Sequence, residues 1–189
     1  MKNQTDYQRY FLAIIPPEPI FSEAHQLKEY FKEQYNSKAS LNSPPHITLH
    51  MPFLWKEKKE NVLLEKLKTF SLAQSAFGLH LQNYKAFPPR VIYIDVLPNQ
   101  SLFLFQKKLE RFCKVEFQLF NANRLDQAYH PHLTLAFRDL KKDQFPLAWR
   151  EFESKKYDQS FTVKEMAVLK HDGTAWKVLS MCGLKEPTL

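Results

Sequence analysis

Glycine is nearly missing from this chain, with three in 189 residues. So few cannot furnish a glycine-cradled phosphate loop, and neither GxGxxG nor GxxxxGK[ST] occurs, which sets aside the classical mononucleotide and dinucleotide folds. Cysteine is just as scarce. Cys113 and Cys182 stand too far apart for a disulfide framework or a zinc cluster, and they read as reduced, buried thiols. No apolar run reaches membrane-spanning length. The polar segment from Met1 to Arg9 leads straight into a strand and lacks the apolar stretch of a secretory leader, so a cytoplasmic location is the default expectation.

What is present describes an ordinary globular protein. Hydrophobic residues make up 44% and charged residues 25%, and the length allows one large domain or two small lobes with a buried core. Lys and Arg outnumber Asp and Glu by 27 to 20, a net charge of +7 that favours anionic partners such as nucleotides, RNA or phosphorylated metabolites. No basic tract is long enough to act as a dedicated arm; Lys56 to Lys59 reads as a solvated helix start.

The hydrophobic pattern runs through the same series twice. Tyr10 to Ile15 reads as a buried strand stopped by Pro16 and Pro17, and Ile20, Ala24, Leu27, Phe31 and Tyr35 recur at helical spacing. A loop from Asn42 to Pro45 enters a strand that runs to Met51, with Pro52 closing it. Leu63, Leu67 and Phe70 mark the next helix, and Phe77, Leu79 and Leu81 alternate as a half-buried strand. From Val91 the order repeats: a strand to Val96, a helix capped by Asn99 with Leu102, Phe105, Leu109 and Phe112 on its face, and a strand from His132 to Phe137. A short helix around Phe145, Ala148 and Phe152 follows, then one strand from Phe161 to Leu169 and a last strand from Ala175 to Cys182, joined by a turn at Asp172-Gly173. The expected class is α+β, with two pseudo-symmetric lobes, each an antiparallel or mixed sheet with helices on its outer face. The lobes divide at about residues 1–87 and 88–189, and the strand 175–182 is free to cross between them.

Within each half lies one tetrad of the same kind, His46-Ile47-Thr48-Leu49 and His132-Leu133-Thr134-Leu135, each preceded by a proline (Pro45, Pro131). Side chains alternate along a strand, so each tetrad presents an imidazole and a hydroxyl on one face and anchors an apolar pair on the other. Two histidines can hold opposite protonation states near neutrality and serve as base and acid at a phosphate ester; two threonine hydroxyls can donate to its non-bridging oxygens. One tetrad alone would read as structural; the pair, in matching register, points to catalysis at His46, Thr48, His132 and Thr134. A metal hydrolase built on His130, His132 and a remote carboxylate is a rival that leaves the threonines without a task. By strand parity Arg138 could reach phosphate and His50 could line the cleft. Tyr129 could stack on a base beneath the long loop from Gln118 to Pro131. Arg90, Tyr93 and Trp176 read as structural.

The contexts Pro44-Pro45-His46-Ile47-Thr48-Leu49-His50-Met51-Pro52-Phe53 and His130-Pro131-His132-Leu133-Thr134-Leu135-Ala136-Phe137-Arg138 resemble the 2H phosphoesterase superfamily, nearest to bacterial 2′-5′ RNA ligase-like proteins. The opening strand Arg9 to Ile14 and the closing strand Trp176 to Leu179 share the likeness. The resemblance implies a bilobal α+β fold around a central cleft and a metal-independent, cofactor-free reaction at a 2′,3′-cyclic phosphate or a 2′-5′ phosphodiester. His46 and His132 would exchange the roles of base and acid, and Thr48 and Thr134 would hold the phosphate. The implied partners are RNA ends or nucleotides bearing such phosphates, with no membrane and no obligate protein partner. A binding module that holds such an end without turnover is the alternative. His50-Met51-Pro52-Phe53 departs from the apolar residue and glycine usual after the first tetrad.

Overall fold

The computed structural model describes residues 6–122 and 128–186. The chain order is β1 (Tyr7–Ile14), α1 (Ile20–Tyr35), β2 (Ile47–Lys56), α2 (Glu60–Leu72), β3 (Phe77–Phe87), β4 (Val91–Val96), α3 (Gln100–Phe117), β5 (His132–Ala136), α4 (Phe145–Phe152), β6 (Asp158–Val163), β7 (Glu165–His171) and β8 (Trp176–Gly183). Local chemistry accounts for the boundaries. The Asn99 side chain accepts from Leu102 N at 2.9 Å and starts α3. Asn36 and Gln118 take left-handed backbone angles where α1 and α3 end. Gly173, at φ 103°, makes the β7–β8 turn, where Asp172 Oδ1 accepts from the amides of Thr174 and Ala175.

All eight strands join one curled, antiparallel half-barrel in the order β6-β3-β4-β5-β2-β1-β7-β8. The helices cover one face. There Tyr10, Leu12 and Ile14 of β1, Ile47 and Leu49 of β2, and Leu133 and Leu135 of β5 pack with Ala24 and Phe31 of α1 and Leu102, Phe105 and Leu109 of α3. The other face of β1 and β7 carries a smaller apolar patch of Phe11, Ala13, Ala167 and Leu169.

The halves of the sheet are not the halves of the chain. β3, placed in the first lobe by a division at residues 87/88, pairs with β4 and β6, while β7 and β8 both lie on the β1 side. A tight connection makes β3 and β4 a hairpin, and hairpin strands are neighbours. The single strand expected from Phe161 to Leu169 is two, because the chain leaves β3 at Val163 and pairs with β1 from Ala167. Pro52 does not end β2. Its carbonyl accepts from Asn121 Nδ2 at 2.8 Å, on the side away from β1, so the N–H that proline lacks is missing from no ladder bond.

Candidate active site

β2 and β5 meet at the centre of the sheet through one antiparallel pair, Ile47 with Leu133. Those two side chains enter the core, so their flanking residues project to the opposite, helix-free face. Antiparallel register about that pair sets His46 across from Thr134 and Thr48 across from His132, a two-by-two array related by an approximate two-fold axis. The same face of β4 adds Tyr93 opposite Thr134 and Asp95 opposite His132.

Each imidazole is fixed in the same way. His46 Nδ1 lies 2.7 Å from Pro44 O, and His132 Nδ1 lies 2.7 Å from His130 O, in both cases the carbonyl two residues earlier. A carbonyl only accepts, so Nδ1 carries the proton in both rings and Nε2 is the atom left to do chemistry. The proline after each of those carbonyls favours the extended backbone that makes the bond possible. Aromatic rings set the tilt. Phe11 lies 4.9 Å from His46 at 53°, Tyr93 lies 4.9 Å from His132 at 55°, and Trp176 and Phe87 back these two rings edge-on or tilted. Neither threonine hydroxyl has a hydrogen-bond partner among the described residues, so both are free to donate.

The electrostatics of the two histidines differ. Burial first, then the charge of Lys28 and the neighbouring His132, pushes His46 down to about 3. His132 is also lowered, by burial and by His130, but Asp95 acts to raise it. Asp95 itself is nearly buried and lies 2.7 Å from Lys85 Nζ and 3.8 Å from His130 Nε2. Among the described residues no three His, Cys, Asp or Glu side chains gather as a metal site. A cavity of about 390 Å³ lined by Tyr30, Tyr84, Phe152 and Tyr157 includes none of the four motif residues.

Three further candidates, two of them from strand parity, fall outside this array. Both motif strands bulge one residue after the threonine. On β2, Ala13 pairs with Thr48 but Leu12 with His50; on β5, Tyr93 pairs with Thr134 but Ile92 with Ala136. The extra residues, Leu49 and Leu135, reverse the facing of the residues directly after them, until a second register shift on β2 returns Phe53 to the core. His50 is therefore fully buried against Phe53, its Nδ1 donating to Met51 O and its Nε2 without a partner among the described residues. Ala136 is likewise turned into the core. Arg138 lies beyond the strand at φ 55°, exposed, its guanidinium 4.7 Å from the ring of Phe137. Tyr129 donates from its hydroxyl to Thr48 O at 3.0 Å and packs edge-on against Phe103, so it ties the loop to β2 rather than offering a stacking face. The remainder of that loop, 123–127, lies outside the described residues.

Sequence reasoning gives Tyr93 and Trp176 structural parts and Phe11 only a place in a buried strand, and so misses the rings that hold the histidines. The alternation of Phe11 and Ala13 against Tyr10, Leu12 and Ile14 is a usable sign of a second apolar face. No membrane-length apolar helix occurs among the described residues.

Comparison with known proteins shows the family and the fold. The model of the 2′-5′ RNA ligase superfamily matches residues 16–175. A Geobacillus sp. (strain WCH70) protein named "Putative phosphoesterase" is 25% identical over 139 residues, covering 72% of this chain and 73% of its own. A similarly named protein of Geobacillus kaustophilus (strain HTA426) is 28% identical over 134 residues, 70% of each chain. Among solved structures, TT0787 of Thermus thermophilus superposes with a TM-score of 0.66 at 17% identity, covering 95% of this chain and 100% of that one. E. coli LigT complexed with 3′-AMP gives 0.62 at 18% identity, over 94% and 98%. These two likenesses are of fold.

Proposed function

The chain belongs to the 2′-5′ RNA ligase superfamily, and on that footing we propose that it is a metal-independent phosphoesterase that opens 2′,3′-cyclic phosphates, or cleaves 2′-5′ phosphodiesters, at RNA ends or on nucleotides. The observation that carries the reading is the array of two Nδ1-anchored imidazoles and two free threonine hydroxyls on one face of the central strand pair. A phosphate seated there meets a hydroxyl and an Nε2 from each strand. One Nε2 takes a proton from water as its oxygen bonds to phosphorus; the bond from phosphorus to one ribose oxygen breaks, and the other Nε2 gives that oxygen a proton. Water is consumed, and a ribose phosphate monoester and its neighbouring hydroxyl are formed. The threonines donate to the non-bridging oxygens, where charge accumulates. LigT structures carrying 3′-AMP or phosphate lend support, as does the net charge of +7.

The test is turnover of a 2′,3′-cyclic nucleotide in excess chelator. Wild-type protein should hydrolyse it undiminished, and His46→Ala and His132→Ala should each lose about 10²- to 10⁴-fold in kcat while keeping the far-ultraviolet spectrum of the wild type. Activity abolished by the chelator contradicts the metal-free scheme. Binding without turnover across cyclic and 2′-5′ linked substrates favours the binding module.

A further inference from the structure

Helix α1 buries Ile20, Ala24, Lys28 and Phe31 along one stripe. Three of these are apolar; Lys28 is 1% exposed and has no carboxylate partner among the described residues. An unpaired ammonium in a core is costly, and an aliphatic residue would cover the stripe without that cost. Its contacts show what it holds. Nζ donates to Ser40 O and to Ser43 O, each at 3.0 Å, and these carbonyls belong to the short segment that enters β2 at the first tetrad. The front of the same segment is held by Asp139, just past β5: Oδ2 accepts from the amides of Lys38 and Ala39 at 2.8 Å and Oδ1 from Ser37 Oγ at 2.9 Å. Pro44, whose carbonyl anchors the His46 ring, follows directly on Ser43.

We propose that Lys28 is a positioning residue that makes the two symmetric half-sites unequal: its hydrogen bonds set the loop that aims His46, and its buried charge favours the neutral form of that imidazole over the neutral form of His132. Two identical motifs gain from such a device, because a base and an acid must hold opposite protonation states when the reaction starts, and unequal affinities fill one such state in preference to its mirror image. The surroundings agree. The charges of Lys28 on α1 and His132 on β5 both lower His46, whereas His132 is lowered by His130 and raised by Asp95 of β4, which is itself paired with Lys85. Among the described residues, the charges acting on His132 include no lysine or arginine. Burial lowers Lys28 to about 7, so its charge is itself set by pH near neutrality.

This inference rests on the catalytic reading of the histidines, yet its test reads them without substrate. Side-chain NMR titration of His46 and His132 should be made in wild type, Lys28→Met and Lys28→Gln. In wild type His46 titrates below His132. In both variants His46 should rise by about one unit or more toward His132, with His132 moving far less. The Gln variant keeps a donor for the loop without the charge, so an equal rise in both assigns the effect to charge. If neither variant folds, the wild-type protein decides: the His46 resonances should carry a second inflection near pH 7 as Lys28 titrates. An unmoved His46, equal movement of both histidines, or no second inflection overturns the proposal. A protein that hydrolyses no cyclic phosphate yet shows the shift refutes the proposed function and leaves the Lys28 coupling standing.

Discussion

Each residue of the array has one atom to offer, and that defines what its loss removes. Thr48→Val and Thr134→Val keep shape and β-propensity but delete a donor to the charged phosphate. Each should lower kcat by about 10- to 10³-fold, with little change in urea midpoint, since neither hydroxyl bonds to protein among the described residues. A midpoint that falls in step with activity would show a structural part instead. His46 also links pH to stability. Its folded value lies far below the ordinary 6.5, so the unfolded chain takes up a proton first as pH falls. The stability it contributes is present above about pH 6.5 and is lost progressively toward pH 3. His46→Gln should therefore lose less stability than wild type between pH 7 and pH 4.5, read as the change in urea midpoint. The carboxylates lowered by hydrogen bonds, such as Glu60 and Glu151, titrate alike in both proteins and cancel.

At the scale of elements, the paired bulges decide which residues face the site. The four motif residues were legible in the sequence because alternation holds from His46 to Thr48 and from His132 to Thr134. Past Leu49 and Leu135 it fails, and parity misplaces His50 and Arg138; a bulge comes from the mismatch between two strands, which neither strand displays alone. His50→Leu should accordingly leave turnover within about twofold of wild type, since the ring lies in the core and its Nε2 has no partner among the described residues. A loss of 10²-fold or more would return His50 to the site. Helices were easier to read. The stripes of α1 and α3 and the Asn99 cap were all visible as spacing and residue type, and Asn99→Ala should cost about 1 kcal/mol in thermal or denaturant unfolding. Lys28 was not read from the sequence, where the stripe runs through Leu27, and its purpose depends on carbonyls twelve and fifteen residues away.

For the whole molecule, the repeat in element order was readable and the exchange of strands was not. Hydrophobic pattern specifies which residues are strands; it does not specify partners, and β3 and β7 find theirs across the repeat boundary, with β8 carried along by its hairpin to β7. The result is one sheet in which β2 and β5 lie side by side at the centre, with only the pair Ile47 and Leu133 between the two motifs. The net charge of +7 acts at this scale as well: KM for an oligonucleotide ending in a cyclic phosphate should rise with salt more steeply than KM for a mononucleotide. Equal salt slopes would confine recognition to the phosphate and its nearest groups.

The central claim is that both imidazoles serve one phosphate through Nε2. Long-range proton–nitrogen NMR of the histidine side chains during a titration with inorganic phosphate tests it directly. Nδ1 of His46 and His132 should show the protonated form throughout, and both Nε2 resonances should shift along a single saturation curve. Movement of one ring alone, separate curves for the two, or a proton on Nε2 with Nδ1 bare would contradict the account.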